Sequence, residues 1–237
     1  MRSEARPSPP SGTSGPPGGS RQLARVRRNP DRARYDSAAV HEVLDAVPFC
    51  HVATVRRGRP VVLPMVHARL GDTLVLHGSP AAGLFRDLRG GSPVCVTATM
   101  LDGLVLARSA RNHSVNYRSV TVHGHAVAVT ETGEATAAMR ALIEHLTPGR
   151  WDQLRPLASD DIRETGLWRV TIEEASVKAR RGSTIDPPSD AGLPVWAGHI
   201  PARLVFGQPV PAPDLPSGVG PVRADSVVNP AFSSLPR

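Results

Sequence analysis

Six short runs rich in β-branched and apolar residues constrain the fold of this chain more than any other feature. They occupy residues 49–55, 60–67, 73–77, 93–99, 103–109 and 119–129, and the turn-forming stretches "RRGRP", "RLGD", "RGGSP" and "LDG" lie between them. The Asp102-Gly103 pair between two apolar runs predicts a β-hairpin. Because the runs leave little room for helices, the sequence predicts an antiparallel barrel rather than a doubly wound sheet.

Three further segments have the periodicity of a helix or a strand. In "DSAAVHEVLDAV" the apolar residues recur at helical spacing behind Asp36 or Ser37, and either residue is a suitable N-cap. A second helix is predicted over residues 133–146, ended by "TPG", and one more strand over residues 167–179. The predicted fold is therefore mainly β, with a few short helices.

The composition of the two ends predicts disordered tails. Residues 1–28 are dominated by Arg, Pro, Gly and Ser, and residues 207–237 are rich in Pro. Such segments have too little apolar surface to offset the entropy lost on folding. One folded domain is predicted over residues 29–206, a length sufficient for one sizeable core.

Positive charge is concentrated in the N-terminal segment. Residues 1–34 contain eight arginines and two acidic residues, which accounts for +6 of the formal charge of +7. A basic tail can contact phosphate groups loosely. The body has few aromatic residues, since the whole chain contains four Phe and two Tyr, and these are too few for a base-stacking platform. Nucleic-acid binding is therefore not expected beyond the tail.

Cysteine usage and hydropathy predict a soluble, cytoplasmic protein. Cys50 and Cys95 are the only cysteines, and their apolar neighbours favour reduced thiols over a disulfide. The N-terminus lacks an apolar signal region, and no run reaches the ~18 apolar residues that a membrane span needs. We therefore expect no membrane association.

The polar residues form no clear catalytic or metal-binding motif. His123 and His125 would share one face of a strand, but no Cys or carboxylate spacing supports them, so no metal site is expected. The stretches "HGSPA" and "GGSPV" lack the second Gly of a G-x-S-x-G serine-hydrolase elbow. No general acid or base can be assigned, and the catalytic residues stay unknown.

A strand followed at once by a helix is predicted around "TLVLHGSPAAGLFRDLRGG". Ser79 is a natural N-cap, Pro80 suits the first helical position, and Gly90 can end the helix. The backbone N–H groups at such a helix start favour an anion. An ordinary strand–helix junction with a solvated Arg face is the alternative.

Taken together, these segments resemble the pyridoxamine 5'-phosphate oxidase-like proteins, specifically the flavin-nucleotide-binding branch of the FMN-binding split barrels. The resemblance begins at "RNPDRARYD" and continues through "CHVATVRRGRPVVLPMVHARLGDTLVLHGS". It is strongest in "LDGLVLARSARNHSVNYRSVTVHGHAV" and ends at "VKARRGSTIDPPSDAGLPVWAGHIP". It implies a six-stranded antiparallel split β-barrel with flanking helices, forming a homodimer that binds FMN near the subunit interface.

The resemblance also implies where the flavin lies. The backbone at residues 63–65 would run beside the isoalloxazine ring, Ser119 would face the ring, and residues 77–79 would approach the ribityl phosphate. The cofactor-binding residues implied in this way are Leu63, Pro64, Met65, His77, Gly78, Ser79, Arg86, Asn116 and Ser119.

One departure from the family concerns the phosphate. Where family members often carry a Ser-Arg or Gly-His-Lys type segment, this chain has "AGLF" at residues 82–85, which offers no charge-assisted hydrogen bond. Backbone N–H groups, Ser79, Arg86 or Arg89 would have to hold the phosphate instead.

The function that the resemblance implies is that of an FMN-binding protein, and of an FMN-dependent oxidoreductase acting on a small molecule with NAD(P)H as the electron donor. Two alternatives stay open. The same barrel could bind a deazaflavin, favoured by a longer basic pocket, or haem, favoured by a His that faces into the pocket. The chain could also be a non-enzymatic flavin carrier, or a regulator that uses its Arg-rich tail.

Overall fold

A computed structural model describes residues 23–79, 83, 88 and 91–233, and strands dominate this part of the chain. The strands are β1 (Ala33–Arg34), β2 (Phe49–Arg56), β3 (Arg59–Leu70), β4 (Thr73–Gly78), β5 (Ser92–Leu106), β6 (Ser114–Ala128), β7 (Gly166–Thr171), β8 (Glu174–Arg180) and β9 (Gly198–Pro201). The helices are α1 (Ser37–Asp45), α2 (Thr132–Leu146), α3 (Ser159–Glu164) and α4 (Ala224–Val227). Among these described helices, none is both long enough and apolar enough to cross a membrane.

Six of the strands close into a ring. Hydrogen-bonded neighbours follow the order β6, β7, β4, β3, β2, β5, and β5 then pairs with β6 again. The β5–β6 ladder extends from Ser92↔Ala126 to Val105↔Ser114, whereas β6 and β7 share only the pairs from Ala126↔Val170 to Ala128↔Trp168. The ring is therefore closed unevenly, and the predicted mainly β split barrel is confirmed.

Two apolar layers hold the barrel together. Side chains from all six strands fill the interior, and α1 adds Val43 and Leu44 to the same cluster. On the outside, α2 packs against β3, β4 and β7 through Ala135, Ala138 and Leu142. No described helix contributes to an apolar cluster on the outer surface of β2, β5 or β6.

Local sequence signals account for several element boundaries. The turn between β2 and β3 has positive φ at both Arg57 (49°) and Gly58 (74°), the backbone of a two-residue hairpin whose twist suits antiparallel strands. Asp36 is the N-cap of α1, because its carboxylate accepts a hydrogen bond of 2.9 Å from the Ala39 N–H. The predicted second helix is confirmed as α2.

The predicted hairpin at Asp102-Gly103 is wrong. The two apolar runs on either side of it form one strand, β5, with a bulge between Leu101 and Gly103. Asp102 is buried and forms an ion pair with Arg118. A Cβ at Gly103 would lie 2.6 Å from the carbonyl oxygen of Ile200. Gly is therefore required here for the close approach of β9, and not for a chain reversal.

The single strand predicted over residues 167–179 is also wrong. Two strands, β7 and β8, occupy this range, separated by Ile172 and Glu173. The N–H groups of these two residues donate to the carbonyl oxygens of Asp72 and His123, respectively. The break lets β7 close the ring against β4 while β8 pairs with β6.

The segment after the barrel returns to its surface. Helix α4 and the turn at Pro230–Ser233 place Phe232 against His145 of α2, with ring centroids 5.2 Å apart, and Phe232 is only 2% exposed. At the other end, the N–H groups of Leu23 and Ala24 donate to the Glu174 carboxylate. The domain boundaries at residues 28 and 206 stay a prediction.

Candidate functional site

The outer surface of β3, β2, β5 and β6 is a face that no described helix covers. His51 lies opposite Pro64 on β3 and opposite Thr97 on β5, and directly opposed residues project to the same side of a sheet. The alternate residues on these strands fill the barrel interior. We call this surface the open face and define it by residues that are all at least partly exposed, namely Val62, Pro64, His51, Ala53, Thr97, Thr99, Ser119 and Thr121.

The residues implied to lie beside the flavin ring do not all project to one side. Ser119 lies opposite Thr99, so its side chain and that of Pro64 share the open face. Leu63 and Met65 lie on alternate positions of β3, and their side chains project to the opposite side, where Met65 packs on the barrel core. At residues 63 and 65, only the backbone could therefore contribute to a site on the open face.

The implied phosphate segment lies at the end of β4. Gly78 is opposite Gly166 of β7, and a Cβ at Gly166 would lie 3.0 Å from the Gly78 carbonyl oxygen, so the two backbones approach closely. His77 lies opposite Leu167, and partial burial lowers the pKa of its imidazole, which favours the neutral form at pH 7. Apart from Gly83 and Leu88, the helix predicted to start at Pro80 lies outside the described residues, and Arg86 lies outside them too.

Arg56 is a candidate phosphate ligand that the sequence analysis missed. A Cβ at Gly83 would lie 2.5 Å from Nη1 of Arg56, so the guanidinium lies directly against the backbone of Gly83. Gly83 belongs to the segment in which this chain lacks the family's charged residues. Arg56, from the end of β2, therefore brings a positive charge to that segment, and no local motif could have indicated it.

Asn116 makes hydrogen bonds within the chain itself. Its Nδ2 donates to the carbonyl oxygen of Gly182 (2.9 Å), and its Oδ1 accepts from Nη1 of Arg180 (2.5 Å). Arg180 also donates to the carbonyl oxygen of Ser183 (3.0 Å). Asn116 thus connects β6 to the turn after β8, and any effect of this residue on the site acts through the position of that turn.

A buried ion pair lies inside the barrel next to the open face. Arg118 donates to both carboxylate oxygens of Asp102 at 2.9 and 3.0 Å, and the side chains are 5% and 3% exposed. Arg118 projects inwards while its neighbour Ser119 projects outwards, so its guanidinium is not placed to contact nucleic acid or a ligand on the open face.

The remaining titratable groups do not assemble into a metal site. Within the described ranges, no group of three or more His, Cys, Asp or Glu side chains could hold a metal ion. The Nδ1 atom of His125 lies 2.7 Å from a Glu173 carboxylate oxygen, whereas His123 is opposite Cys95 and Glu174. Both cysteines are free, and burial raises the pKa of Cys50 to about 12 and also raises that of Cys95, so the thiols are protonated at neutral pH.

Comparison with known protein families agrees with this architecture. A family model described as pyridoxamine 5'-phosphate oxidase matches residues 36–179, a range that contains all six strands of the ring. The chain belongs to this family. No curated protein matches the chain.

Two solved structures are similar to the chain over most of its length. The flavocytochrome Anf3 from Azotobacter vinelandii is 38% identical, with a TM-score of 0.78, over 85% of this chain and 93% of the other. The FAD and heme binding protein from Mycobacterium smegmatis is 30% identical, with a TM-score of 0.76, over 85% of this chain and 97% of the other. A protein from Bacteroides thetaiotaomicron, named for 5-nitroimidazole antibiotic resistance, is 22% identical with a TM-score of 0.53, over 62% and 85% of the two chains, and supports the fold alone.

Proposed function

We propose that this protein is a redox protein that binds a flavin nucleotide together with haem. The observation that carries the proposal is the 38% identity, over 85% of the chain, to a protein named as a flavocytochrome. A second relative, 30% identical, is named for binding FAD and heme. FAD is therefore preferred to FMN as the nucleotide, and haem accompanies the flavin in this proposal.

The proposed phosphate site comprises the turn at Gly78–Ser79, the Gly83 backbone and the Arg56 guanidinium. The guanidinium of Arg56 can lie this close to position 83 because Gly83 has no Cβ, which would otherwise lie 2.5 Å from Nη1. A guanidinium is always charged and matches the geometry of phosphate oxygens. These residues fit a phosphorylated flavin, and they supply the charge that residues 82–85 lack.

The proposed ring site lies on the open face, where Ser119 and Pro64 project and the backbone of residues 63–65 runs along β3. A bound flavin would supply the electron-transfer chemistry, while the protein binds the ring and shields it from water. Ser119 already donates to the carbonyl oxygen of Lys178 (3.2 Å), so this hydroxyl has a defined orientation. In the proposed reaction, NAD(P)H reduces the flavin and a small molecule is the acceptor.

A second copy of the chain is the proposed cover for the open face. Val62 on this face is 55% exposed, and Val55 on β2 and Leu101 on β5 are 68% and 48% exposed. Exposed apolar patches commonly mark interfaces, and a ring bound here would otherwise contact water on one side. Light scattering should report a dimer, and a monomer that binds flavin with full affinity would contradict this part of the proposal.

The visible spectrum of the protein purified from its host tests the cofactors directly. We expect a flavin absorption band and a Soret band in one preparation, and acid extraction should release FAD rather than FMN. Anaerobic addition of NADH or NADPH should bleach the flavin band. A preparation that stays colourless after FAD and haemin are added would refute the proposed function.

The phosphate site has a sharper test in Arg56→Ala. Loss of a charge-assisted hydrogen bond worth about 1.5–3 kcal/mol should weaken FAD and FMN binding roughly 10- to 100-fold. Riboflavin, which has no phosphate, should bind with unchanged affinity. Arg57→Gly is the matched control, because it removes the adjacent charge and suits the positive φ of that position. Equal losses for riboflavin and FMN would exclude Arg56 as a phosphate ligand.

A further inference from the structure

We propose that residues 23–32, which we call the basic strap, bind the phosphate groups of the nicotinamide nucleotide that reduces the flavin. The inference rests on the function proposed above, and it assigns NADPH rather than NADH as the electron donor. Three observations carry it. The strap is fixed to the sheet, it lies at the border of the proposed ring site, and its arginines have no ion-pair partner among the described residues.

Two side chains of β8 hold the strap in place. The Glu174 carboxylate accepts hydrogen bonds from the N–H groups of Leu23 and Ala24, both of 3.2 Å. Four residues further along β8, Nζ of Lys178 donates to the carbonyl oxygen of Arg28 (2.9 Å). The strap therefore runs along β8, and it is the backbone of the strap, rather than its arginine side chains, that makes these contacts.

The strap lies on the same side of the sheet as the open face. Lys178 is opposite Ser119 of β6, and directly opposed residues project to one side. Ser176 is opposite Thr121, which also belongs to the open face, yet Ser176 is only 6% exposed. The strap accounts for this burial, because its two hydrogen-bonding partners on β8 lie on either side of Ser176. It therefore forms a raised border along one edge of the open face.

The arginines of the strap project into solvent. Ala24 is 3% exposed and Val26 is partly buried, whereas Arg25 and Arg27, at the alternate positions, are exposed. The N–H of Val26 donates to the Tyr35 hydroxyl (3.0 Å), which fixes the middle of the strap. Among the residues that the structure describes, no side chain forms an ion pair or hydrogen bond with the guanidinium groups of four strap residues, namely Arg25, Arg27, Arg28 and Arg32.

A buried guanidinium under the strap adds to the positive charge. Arg180 of β8 is 6% exposed and lies on the same side of the sheet as Lys178. It donates to Asn116 and to the carbonyl oxygen of Ser183, and no described carboxylate pairs with it. Burial, followed by repulsion from Arg32, lowers the pKa of Arg180. Positive charges thus repel one another here, and a bound anion would relieve that repulsion.

The location of the strap favours a nucleotide that reacts at the ring over nucleic acid. Strand β8 is the neighbour of β6, and adjacent strands lie about 4.8 Å apart, so the strap stands next to Ser119. A nicotinamide nucleotide that reacts at the ring must place its phosphates beyond the edge of the ring, and the strap offers guanidinium groups at one such edge. Guanidinium groups bind phosphate through paired hydrogen bonds, and Arg commonly holds the 2′-phosphate that distinguishes NADPH from NADH.

The test is calorimetric titration of the full-length protein with NADP+ and with NAD+, which measures binding without any turnover. The double variant Arg25→Gln, Arg27→Gln should weaken NADP+ binding about 10- to 100-fold, because two charge-assisted hydrogen bonds are lost. NAD+ binding should fall by a smaller factor, since NAD+ has no 2′-phosphate. FAD affinity should stay unchanged, because the proposed flavin phosphate site uses Arg56 instead.

The matched control is Arg140→Gln, Arg150→Gln, which removes the same charge from two exposed positions on α2 and in the turn after it. This control should bind NADP+ like the wild type. An equal loss of NADP+ affinity in the control would overturn the inference, because it would show that only the net charge of the protein matters. Thermal melting checks that each variant is folded.

Glu174→Ala separates a fixed strap from a merely basic one. The substitution removes a negative charge, so a purely electrostatic effect would tighten NADP+ binding. It also releases Leu23 and Ala24 from β8. If the anchored strap forms the site, NADP+ should bind several-fold more weakly, and tighter binding would contradict the inference.

The remaining outcomes distinguish this inference from the function on which it rests. A flavin-free protein that binds NADP+ through Arg25 and Arg27 would refute the proposed function but support the phosphate site. A flavin-containing protein that NADPH reduces, but whose NADP+ affinity survives the loss of both arginines, would overturn this inference alone. Loss of duplex DNA binding in the double variant, with unchanged NADP+ affinity, would overturn it in favour of a nucleic-acid surface.

Discussion

Acidification should destabilise the protein through one buried histidine, His67. Its side chain is fully buried on β3, and its Nε2 donates to the carbonyl oxygen of Leu44 at the end of α1 (3.0 Å). Its Nδ1 is buried and has no hydrogen-bond partner among the described residues. The neighbouring charged or titratable groups are His145, whose ring centroid is 5.1 Å away, and the ion pair between Asp45 and Arg69.

The magnitude follows from the pKa of His67. Burial, followed by repulsion from His145, lowers this pKa from 6.5 to about 4. Between these values the unfolded chain binds a proton that the folded chain excludes, so stability falls as the pH falls. The difference between pKa values of 6.5 and about 4 corresponds to a loss of about 3 kcal/mol, complete below pH ~4 and absent above pH ~6.5. The pKa of His145 is also lowered by burial, so this group changes stability in the same direction.

Urea denaturation between about pH 4 and pH 7.5 measures this effect, because the fitted free energy of unfolding can be compared at each pH. His67→Gln is the comparison variant, since its amide can still donate to Leu44 but does not titrate. The wild type should lose about 3 kcal/mol more than His67→Gln across the range. Parallel pH profiles for the two proteins would refute the assignment of the effect to His67.

Three further substitutions test the fold. Asp102→Ala should lower the free energy of unfolding measured in urea by about 3–5 kcal/mol, because it leaves the Arg118 charge buried and unpaired. Replacing both residues by apolar ones should lower it by less. The opposite order would show that the pair is not effectively buried. Gly124→Ala should lower the melting temperature, because its Cβ would collide with the Thr171 carbonyl oxygen and reduce the free energy of unfolding by about 1–3 kcal/mol or more. An unchanged melting temperature would contradict that close approach. Asp36→Ala removes the N-cap of α1 and should cost about 1 kcal/mol by the same denaturation measurement, whereas Asp36→Asn should cost less.

Elements that depend on neighbouring residues could be predicted from the sequence. The turn between β2 and β3 follows from "RRGRP" between two β-branched runs. The start of α1 follows from the pair Asp36 and Ser37, of which the structure has Asp36 as the N-cap. The strand order could be inferred only from the family resemblance, since periodicity does not specify which strands pair. The resemblance also implied that Ser119 and the backbone of residues 63–65 lie beside the same ring, but not which side chain of β3 shares the face of Ser119.

Features that depend on distant residues were missed or predicted wrongly. Asp102-Gly103 has the composition of a hairpin turn, but Arg118 and Ile200 make it a bulge. Arg56 shows no phosphate-binding motif, and its proposed role rests only on its contact with Gly83. The separation of the Leu63 and Met65 side chains from the open face depends on the register of β3 against β2.

The amino-acid sequence by itself determined the local properties of this protein: where strands begin, which residues can reverse the chain, and which ends carry charge without apolar surface. These properties depend on backbone sterics and on hydrogen bonds between residues close in the chain. Only the tertiary structure decided which side chains share the open face and which charges are buried. Those outcomes depend on ring closure, which brings together strands from different parts of the chain and sets the burial of each group.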